Sequence, residues 1–301
     1  LKAAVIDIGT NSCRLLIGEK NSEQSFDILA RRLEITRLGE GVDQSRKLKE
    51  AAVDRVVQAL KKYKVIIEEY QVPKTRVIGT SALRDVTNSN LLKSKLNKLG
   101  FELEIISGKK EAELNYLGAV SNLDADFLLI DIGGGSTEFI WSESDDQIKF
   151  ESLDLGCVRM TEKFVANPES EFEAEASHKI QKHVKKLLST KLNLKQEFRV
   201  KGVGGTITTL AAVKLALEDY DSSKIENLEI QKSELEKIIT NLSEVNLEQR
   251  QKIKGLQPKR ADIIIAGLII LKGILDYIDS KKLYVSDHDL LYGLLKEELG
   301  S

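Results

Sequence analysis

Two segments of the chain end an apolar run with an aspartate and follow it with glycine and small polar residues. The first is Ala3-Ala4-Val5-Ile6-Asp7-Ile8-Gly9-Thr10-Asn11-Ser12, and the second is Phe127-Leu128-Leu129-Ile130-Asp131-Ile132-Gly133-Gly134-Gly135-Ser136-Thr137. Glycine lets a backbone approach a phosphate closely, and successive N–H groups in a turn attract anions. Gly133, Gly134 and Gly135, with the hydroxyls of Ser136 and Thr137, therefore offer a phosphate cradle, and Thr10, Asn11 and Ser12 offer a leaner one. A third turn, Gly202-Val203-Gly204-Gly205-Thr206, follows a strand and opens a helix, whose N-terminus adds its own preference for anions. Three turns of this kind can surround a chain of phosphates.

The carboxylates beside these turns suit a hard cation. Mg²⁺ is commonly held through one or two carboxylates and the phosphates of its substrate. Asp131 ends one strand and Glu138 starts the next, so both reach the mouth of the turn. Asp7 and Asp131 can also cap their own turns through side-chain hydrogen bonds. Glu111 lies in the first turn of an expected helix, where the dipole alone favours an acid; with Ser107 as N-cap, the capping-box position falls on Lys110.

Other phosphate and hydrolase patterns fail on spacing. A dinucleotide fingerprint started at Gly133 meets Glu138, and one started at Gly202 meets Ile207, where glycine is needed. The chain has no G-x-x-x-x-G-K-[ST] run and no G-x-S-x-G elbow, and His178, His183 and His288 have no zinc-type spacing. His178 and His183 read as a solvated helix face.

The elements that must position these residues follow from periodicity. Each aspartate turn joins two strands, Cys13–Ile17 being the second in one copy and Glu138–Trp141 in the other. Apolar spacing predicts a helix from Leu48 to Tyr70, a strand at Arg76–Thr80, a helix capped by Asn88 or Ser89 and ended by Gly100, a strand at Leu103–Ile106 and a helix at Lys109–Val120. After the second copy come strands to Leu155, a helix at Phe172–Leu188, a strand at Phe198–Val203 and helices around Thr208, Leu235 and Ile264. A strand at Lys282–Val285 and a helix from Asp289 follow. The repeat implies an α/β chain of two lobes with mixed sheets and a ligand between them.

Composition sets the outer bounds. The 301 residues carry 47 acidic and 45 basic side chains, so nothing in the bulk charge points to nucleic acid or a membrane surface. The longest apolar stretch, Ile263–Leu271, is far below the roughly 20 residues of a membrane span. No signal-peptide pattern opens the chain, and a cytoplasmic protein is expected. Cys13 and Cys157 sit in apolar runs and read as buried free thiols.

At this point a resemblance is plain. The paired Asp-Ile-Gly turns and the later Gly202-Val-Gly-Gly-Thr206 resemble the sugar kinase, Hsp70 and actin superfamily. More closely, the chain resembles the exopolyphosphatase and guanosine pentaphosphate phosphohydrolase family. The matching segments are Asp7–Ser12, Thr80-Ser-Ala-Leu-Arg84, Ile105–Ala112, Asp131–Glu138, Gly156-Cys-Val-Arg159, Gly202–Leu210 and Ser286-Asp287, in the family's order. The resemblance implies two actin-like (ribonuclease H-like) lobes with an interlobe cleft, residues 1–122 with 287–301 and residues 123–286. It implies Mg²⁺-dependent hydrolysis of a terminal phosphoryl group from polyphosphate, or from guanosine pentaphosphate to give the tetraphosphate. Glu111 matches the family's catalytic glutamate, Asp131 and Glu138 match its metal carboxylates, and Asp7 is placed with them on the opposite loop. Arg84, Gly204, Gly205 and Thr206 match its phosphate-binding segments, and a homodimer is possible.

Three departures from the family pattern stand out. Lys110 replaces the first of two adjacent glutamates, which makes the surroundings of Glu111 more positive. The family usually reads Ser-Asp, two residues, then Leu-Arg-Glu-Gly; Leu291 and Tyr292 replace the Arg-Glu pair, which puts the contacts of that segment in question. Long members continue into helical domains where this chain stops, so distributive rather than processive cleavage is expected. Two other classes stay open: an acceptor-dependent ATP kinase of the same superfamily, and a regulator that binds alarmone without turnover.

Overall fold

The computed structural model describes residues 1–21, 26–119, 126–142, 148–194 and 197–300. They fall into two compact units, Leu1–Ser121 with His288–Ser301, and Asn122–Asp287. The chain begins with β1 (Lys2–Ile8), β2 (Ser12–Lys20), β3 (Phe26–Ile35), α1 (Val42–Ser45) and α2 (Glu50–Glu69). Next are β4 (Thr75–Gly79), α3 (Ser81–Arg84), α4 (Asn90–Asn97), β5 (Leu103–Ile105) and α5 (Gly108–Ala119). The second unit supplies β6 (Phe127–Ile132), β7 (Thr137–Ser142), β8 (Ile148–Leu153), α6 (Cys157–Phe164), α7 (Ala174–Lys191), β9 (Arg199–Val203) and α8 (Gly204–Lys214). It continues through α9 (Ser222–Ile225), β10 (Glu229–Gln231), α10 (Lys232–Ser243), α11 (Leu247–Arg250), a 3₁₀ turn at Pro258–Arg260, α12 (Ile264–Tyr277) and β11 (Lys282–Val285). The chain then re-enters the first unit as α13 (Leu290–Leu299).

The two sheets repeat one plan. The first runs β3-β2-β1-β4-β5 and the second β10-β11-β9-β6-β7-β8. In each, an antiparallel meander (β1-β2-β3 or β6-β7-β8) is extended by parallel strands: β4 and β5 beside β1, β9 and β11 beside β6. β1 is covered on both faces, with Ala4, Ile6 and Ile8 in the cluster with α2 and α4, and Ala3 and Val5 in the cluster with α5 and α13. A two-sided strand reads as an unbroken apolar run, and each fully buried large aliphatic side chain contributes ~1.5–3 kcal/mol.

Most expected elements are found with ends shifted by a residue or two; the Val120 end of the predicted 109–120 helix lies outside the described residues. Asn88 does not cap α4. Its side chain instead accepts from Leu48 N at 2.8 Å and donates to Leu48 O at 3.0 Å, which fixes the entry to α2. β3, β10, α6 and the four-residue helices α1, α3, α9 and α11 are additions to the sequence reading. Cys13 and Cys157 are buried free thiols, pushed above the ordinary range by burial. Among the described residues no helix is long and apolar enough to cross a membrane.

α5 and α13 meet at two glycines. A Cβ on Gly118 would stand 2.3 Å from Asp289 O, and one on Gly293 would stand 1.8 Å from Leu114 O, so the backbones touch where any other residue would hold them apart. At the departures from the family pattern, Leu291 is buried in this cluster, and Tyr292 packs its ring on Phe26 and His288 with the Arg31 guanidinium 5.7 Å above it. Packing and a cation–π contact stand where the pattern has charges.

Candidate active site

The β1–β2 and β6–β7 turns are built alike. Gly9 N donates to Ser12 O at 2.9 Å, and Gly133 N donates to Ser136 O at 3.0 Å. Ile8 pairs with Cys13 in one hairpin and Ile132 with Thr137 in the other, so each encloses four turn residues. One register step below, Asp7 faces Arg14, whereas Asp131 faces Glu138.

In the first hairpin Thr10 and Asn11 are buried and Ser12 is half-buried. The carbonyl of Asn11 accepts from Thr36 N and Arg37 N, and that of Thr10 from Gly39 N, which fastens the turn to the segment after β3. Asp7 Oδ2 accepts from Arg14 Nε at 3.0 Å and Nη2 at 2.7 Å, while Arg14 Nη1 reaches Asp289 Oδ2. Asp7 Oδ1 and Asn11 Nδ2 are buried with no hydrogen-bond partner among the described residues. Burial pushes the Asp7 carboxyl up against the pull of Arg14. For Asp289 burial also pushes up, but Arg14, Arg31 and the Leu291 N–H together bring it below the usual aspartate range. Asp289, at which the predicted helix begins, is the side-chain N-cap of α13.

In the second hairpin the carbonyls of the turn are occupied. Cys157 N donates to Gly133 O, Val158 N and Arg159 N to Gly134 O, and Arg159 Nε to Gly135 O at 2.8 Å. The first turn of α6 thereby satisfies its own orphan N–H groups on the hairpin. Gly156 permits this, since a Cβ there would lie 2.3 Å from Gly134 O. Glycine serves this turn through close approach: among the described residues the positive-φ glycines are Gly41, Gly100, Gly204, Gly255 and Gly300, none of them in 133–135. Ser136 and Thr137 are buried, and Thr137 Oγ1 donates to Leu155 O. Asp131 and Glu138 are buried cross-strand neighbours, with Ser152 Oγ donating to Glu138 Oε1 at 2.8 Å.

The third turn closes on the same strand end. Gly204 has φ 82°, and a Cβ on it would lie 2.0 Å from Asp131 Oδ1, so glycine lets this carboxylate sit at the start of α8. Thr206 Oγ1 donates to Ile132 O at 3.0 Å, which spends its proton on bracing the turn. Gly205 lies against Arg260; a Cβ there would be 2.2 Å from Arg260 Nη1. Arg260, buried and bonded to Gln257 Oε1 at 3.0 Å, is a cation at this turn that sequence reasoning did not single out. Its only signal was a lone arginine in a Pro-Lys-Arg run far in sequence from the three phosphate-type glycine turns.

Glu111 occupies the first turn of α5, with its N–H bonded to Ser107 O, and Ser107 Oγ caps Lys110 N. The Glu111 side chain is buried, and Arg84 Nη1 lies 2.6 Å from its Oε2. Arg84 Nη1 also donates to Ile106 O at 3.2 Å. The cation at position 110 points elsewhere: Lys110 Nζ meets Glu297 Oε1 on α13 at 2.5 Å. The extra positive charge expected around Glu111 is thus already paired.

The donor set fits Mg²⁺. Asp131 and Glu138, both in the second unit, provide adjacent carboxylates, about 4.5–5.5 Å apart at Cβ; in the first unit, Asp7 Oδ1 is by itself a buried acceptor with no hydrogen-bond partner among the described residues. Among the described residues no group of three His, Cys, Asp or Glu could hold an ion unaided. Such an ion keeps waters and takes oxygens from a substrate, as Mg²⁺ commonly does.

The chain is similar to known proteins over nearly its whole length. A bifunctional 3-dehydroquinate synthase/phosphatase of Fusobacterium nucleatum is 40% identical over 98% of the chain, and the chain spans 46% of its length. Exopolyphosphatase 2 of Mycobacterium tuberculosis is 31% identical over 97% of both chains. The crystal structure of the Aquifex aeolicus Ppx/GppA family member superposes with a TM-score of 0.82 at 29% identity, covering 99% of this chain and 97% of that one. The fold is that of two actin-like lobes. The description "Ppx/GppA phosphatase family" matches residues 5–301, and with these likenesses running over nearly its whole length, the chain belongs to that family.

Proposed function

We propose that the chain hydrolyses the terminal phosphoanhydride bond of inorganic polyphosphate or guanosine pentaphosphate. The observation that carries this reading is the second hairpin: two adjacent buried carboxylates at a turn whose carbonyls are taken up by α6, which leaves N–H groups as the turn's donors to an anion. Family membership and the exopolyphosphatase relative support it.

Glu111 takes a proton from the attacking water. The water oxygen bonds to the terminal phosphorus as the bridging P–O bond breaks, and the bond's electron pair leaves with the shortened polyphosphate. The N–H groups of Gly134, Gly135 and Ser136, in a turn that Gly133 N–H closes on Ser136 O, and the start of α8 at Gly204, Gly205 and Thr206 hold phosphate oxygens, with Arg260 beside Gly205. Thr10, Asn11 and Ser12 serve a second phosphate. Asp131 and Glu138, with Asp7, would hold Mg²⁺, which offsets charge on the phosphate oxygens. The two buried free thiols agree with a reducing compartment, and we assign the protein to the cytoplasm.

The test is Glu111→Gln with phosphate release measured on both substrates. The amide keeps shape and loses basicity, so turnover falls ~10²–10⁴-fold while binding of the substrate stays within a few fold. Turnover like that of wild type sinks the assignment.

A further inference from the structure

Glu111 is assigned the task of accepting a proton, yet its carboxylate is held by a guanidinium. Arg84 ends α3, Glu111 opens α5, and both belong to the first unit. The N–O distance is 2.6 Å, and the side chains keep 22% and 9% of their surface exposed. A carboxylate beside an arginine is held in its charged form and accepts a proton poorly, which is the wrong setting for a base at neutral pH. Arginine also matches phosphate oxygens in two-pronged geometry, so an arriving phosphate competes directly with the carboxylate for the same donors.

We propose that Arg84 exchanges anions: it is held by Glu111 in the substrate-free enzyme and moves to a substrate phosphate in the complex, which frees Glu111 to accept the proton of the attacking water. The proposal rests on the hydrolase reading above and adds a trigger to it. The other charges near this end of α5 are already engaged. Lys110 is paired with Glu297, Lys109 stands 3.9 Å from Glu113, and on the packed face of α13 Glu297 also meets Arg76. None of these pairs needs to change when Arg84 leaves. In the reacting step the water proton goes to Glu111, the water oxygen to the terminal phosphorus, and the electron pair of the bridging bond to the departing polyphosphate. Arg84 returns to the carboxylate when phosphate is released, so the base is strong only while a substrate is present.

The experiment follows the Glu111 carboxyl by ¹³C NMR on the full chain, its signal identified by its disappearance in Glu111→Gln. The pH titration is run with and without a saturating P–N–P-linked tripolyphosphate analogue that cannot be hydrolysed. In wild type the analogue should move the midpoint upward by about one pH unit or more. In Arg84→Gln the midpoint without analogue should already lie higher, and the analogue should move it distinctly less. Arg84→Lys is the gentler variant should the glutamine protein fold poorly: a point charge without the fork should give a displacement smaller than that of wild type. Equal displacement in wild type and variants would overturn the exchange and leave the hydrolase reading standing. Failure of wild type to bind the analogue, together with no phosphate release from either substrate, would overturn the hydrolase reading and the exchange with it.

Discussion

The two aspartate hairpins share loop length, closing hydrogen bond and strand register, and differ in the sign of one cross-strand partner. Asp7 faces Arg14, and Asp131 faces Glu138. The first hairpin carries its own counter-charge inside the fold, extended through Arg14 to Asp289. The second places two acids side by side, at the end of a strand where a third glycine turn also converges. A duplicated scaffold can thus be specialised by one residue: a turn whose aspartate is partly offset by an arginine suits contact chiefly with phosphate, with Asp7 a lesser partner to a cation, and a doubly acidic turn suits phosphate together with that cation.

Giving the second hairpin the charge pattern of the first is the strongest way to break this comparison. Glu138→Arg should lower phosphate release ~10³-fold or more, on the basis that an ion at such a site is worth several kcal/mol in the transition state. Glu138→Gln, which keeps the size, should instead raise the Mg²⁺ concentration needed for half-maximal rate. Near-normal rates for Glu138→Arg, with circular dichroism unchanged, would show that the sign of this partner does not matter.

The converse change acts on stability. Arg14→Gln leaves Asp7 and Asp289 buried beside a neutral amide, and urea unfolding should show a loss of about 3 kcal/mol. A loss below about 0.5 kcal/mol, the level of an ordinary surface substitution, would mean that the built-in counter-charge is idle. Gly204→Ala should cost about 1–3 kcal/mol of backbone strain and reduce turnover, because its Cβ displaces Asp131. Unchanged kinetics would detach the third turn from the second hairpin.

The smallest effect is in pH dependence. The folded-state carboxyl of Asp289 lies below the ordinary aspartate value, so its contribution is present above about pH 3.9 and is lost as pH falls through the lowered value. Asp7 is raised, so its contribution is present at acid pH and lost as pH rises through the raised value. Thermal melts from pH 6 down to pH 2 should therefore be flatter for Asp289→Asn and steeper for Asp7→Asn than for wild type. Slopes changed in the same direction by both would contradict this reading of the triad.

Much of this was legible in the residues because glycine, aspartate and apolar runs impose local geometry. The repeat, most helices and the sheet-forming strands follow from spacing alone. Arg14 and Glu138 stand at equal distance from their aspartates in the sequence, yet only the pairing register makes them equivalent. Arg260 and the pairing of Arg84 with Glu111 depend on contacts between distant segments, which no periodicity encodes. α6 is short and opens after Gly156, whose purpose is close approach to Gly134 rather than a turn of its own. Leu291 and Tyr292 were legible as departures, but their packing with Phe26, His288 and Arg31 was not.

The glycine contact between α5 and α13 has a bearing on biogenesis. The helix that carries Glu111 is seated by backbone contact with residues 289–293, whereas the second unit is a single continuous segment. On the ribosome the second unit can fold once residue 287 has emerged, but the first must wait across that entire insertion for its closing helix, a delay on the order of ten seconds or more at ordinary elongation rates. During that interval the faces of β1, β2 and α5 that α13 later covers are exposed to chaperones and to other nascent chains. Glu111, the proposed general base, is therefore among the last parts of the first unit to be seated, and on the proposed mechanism a nascent chain that already holds all three glycine turns would not yet turn over.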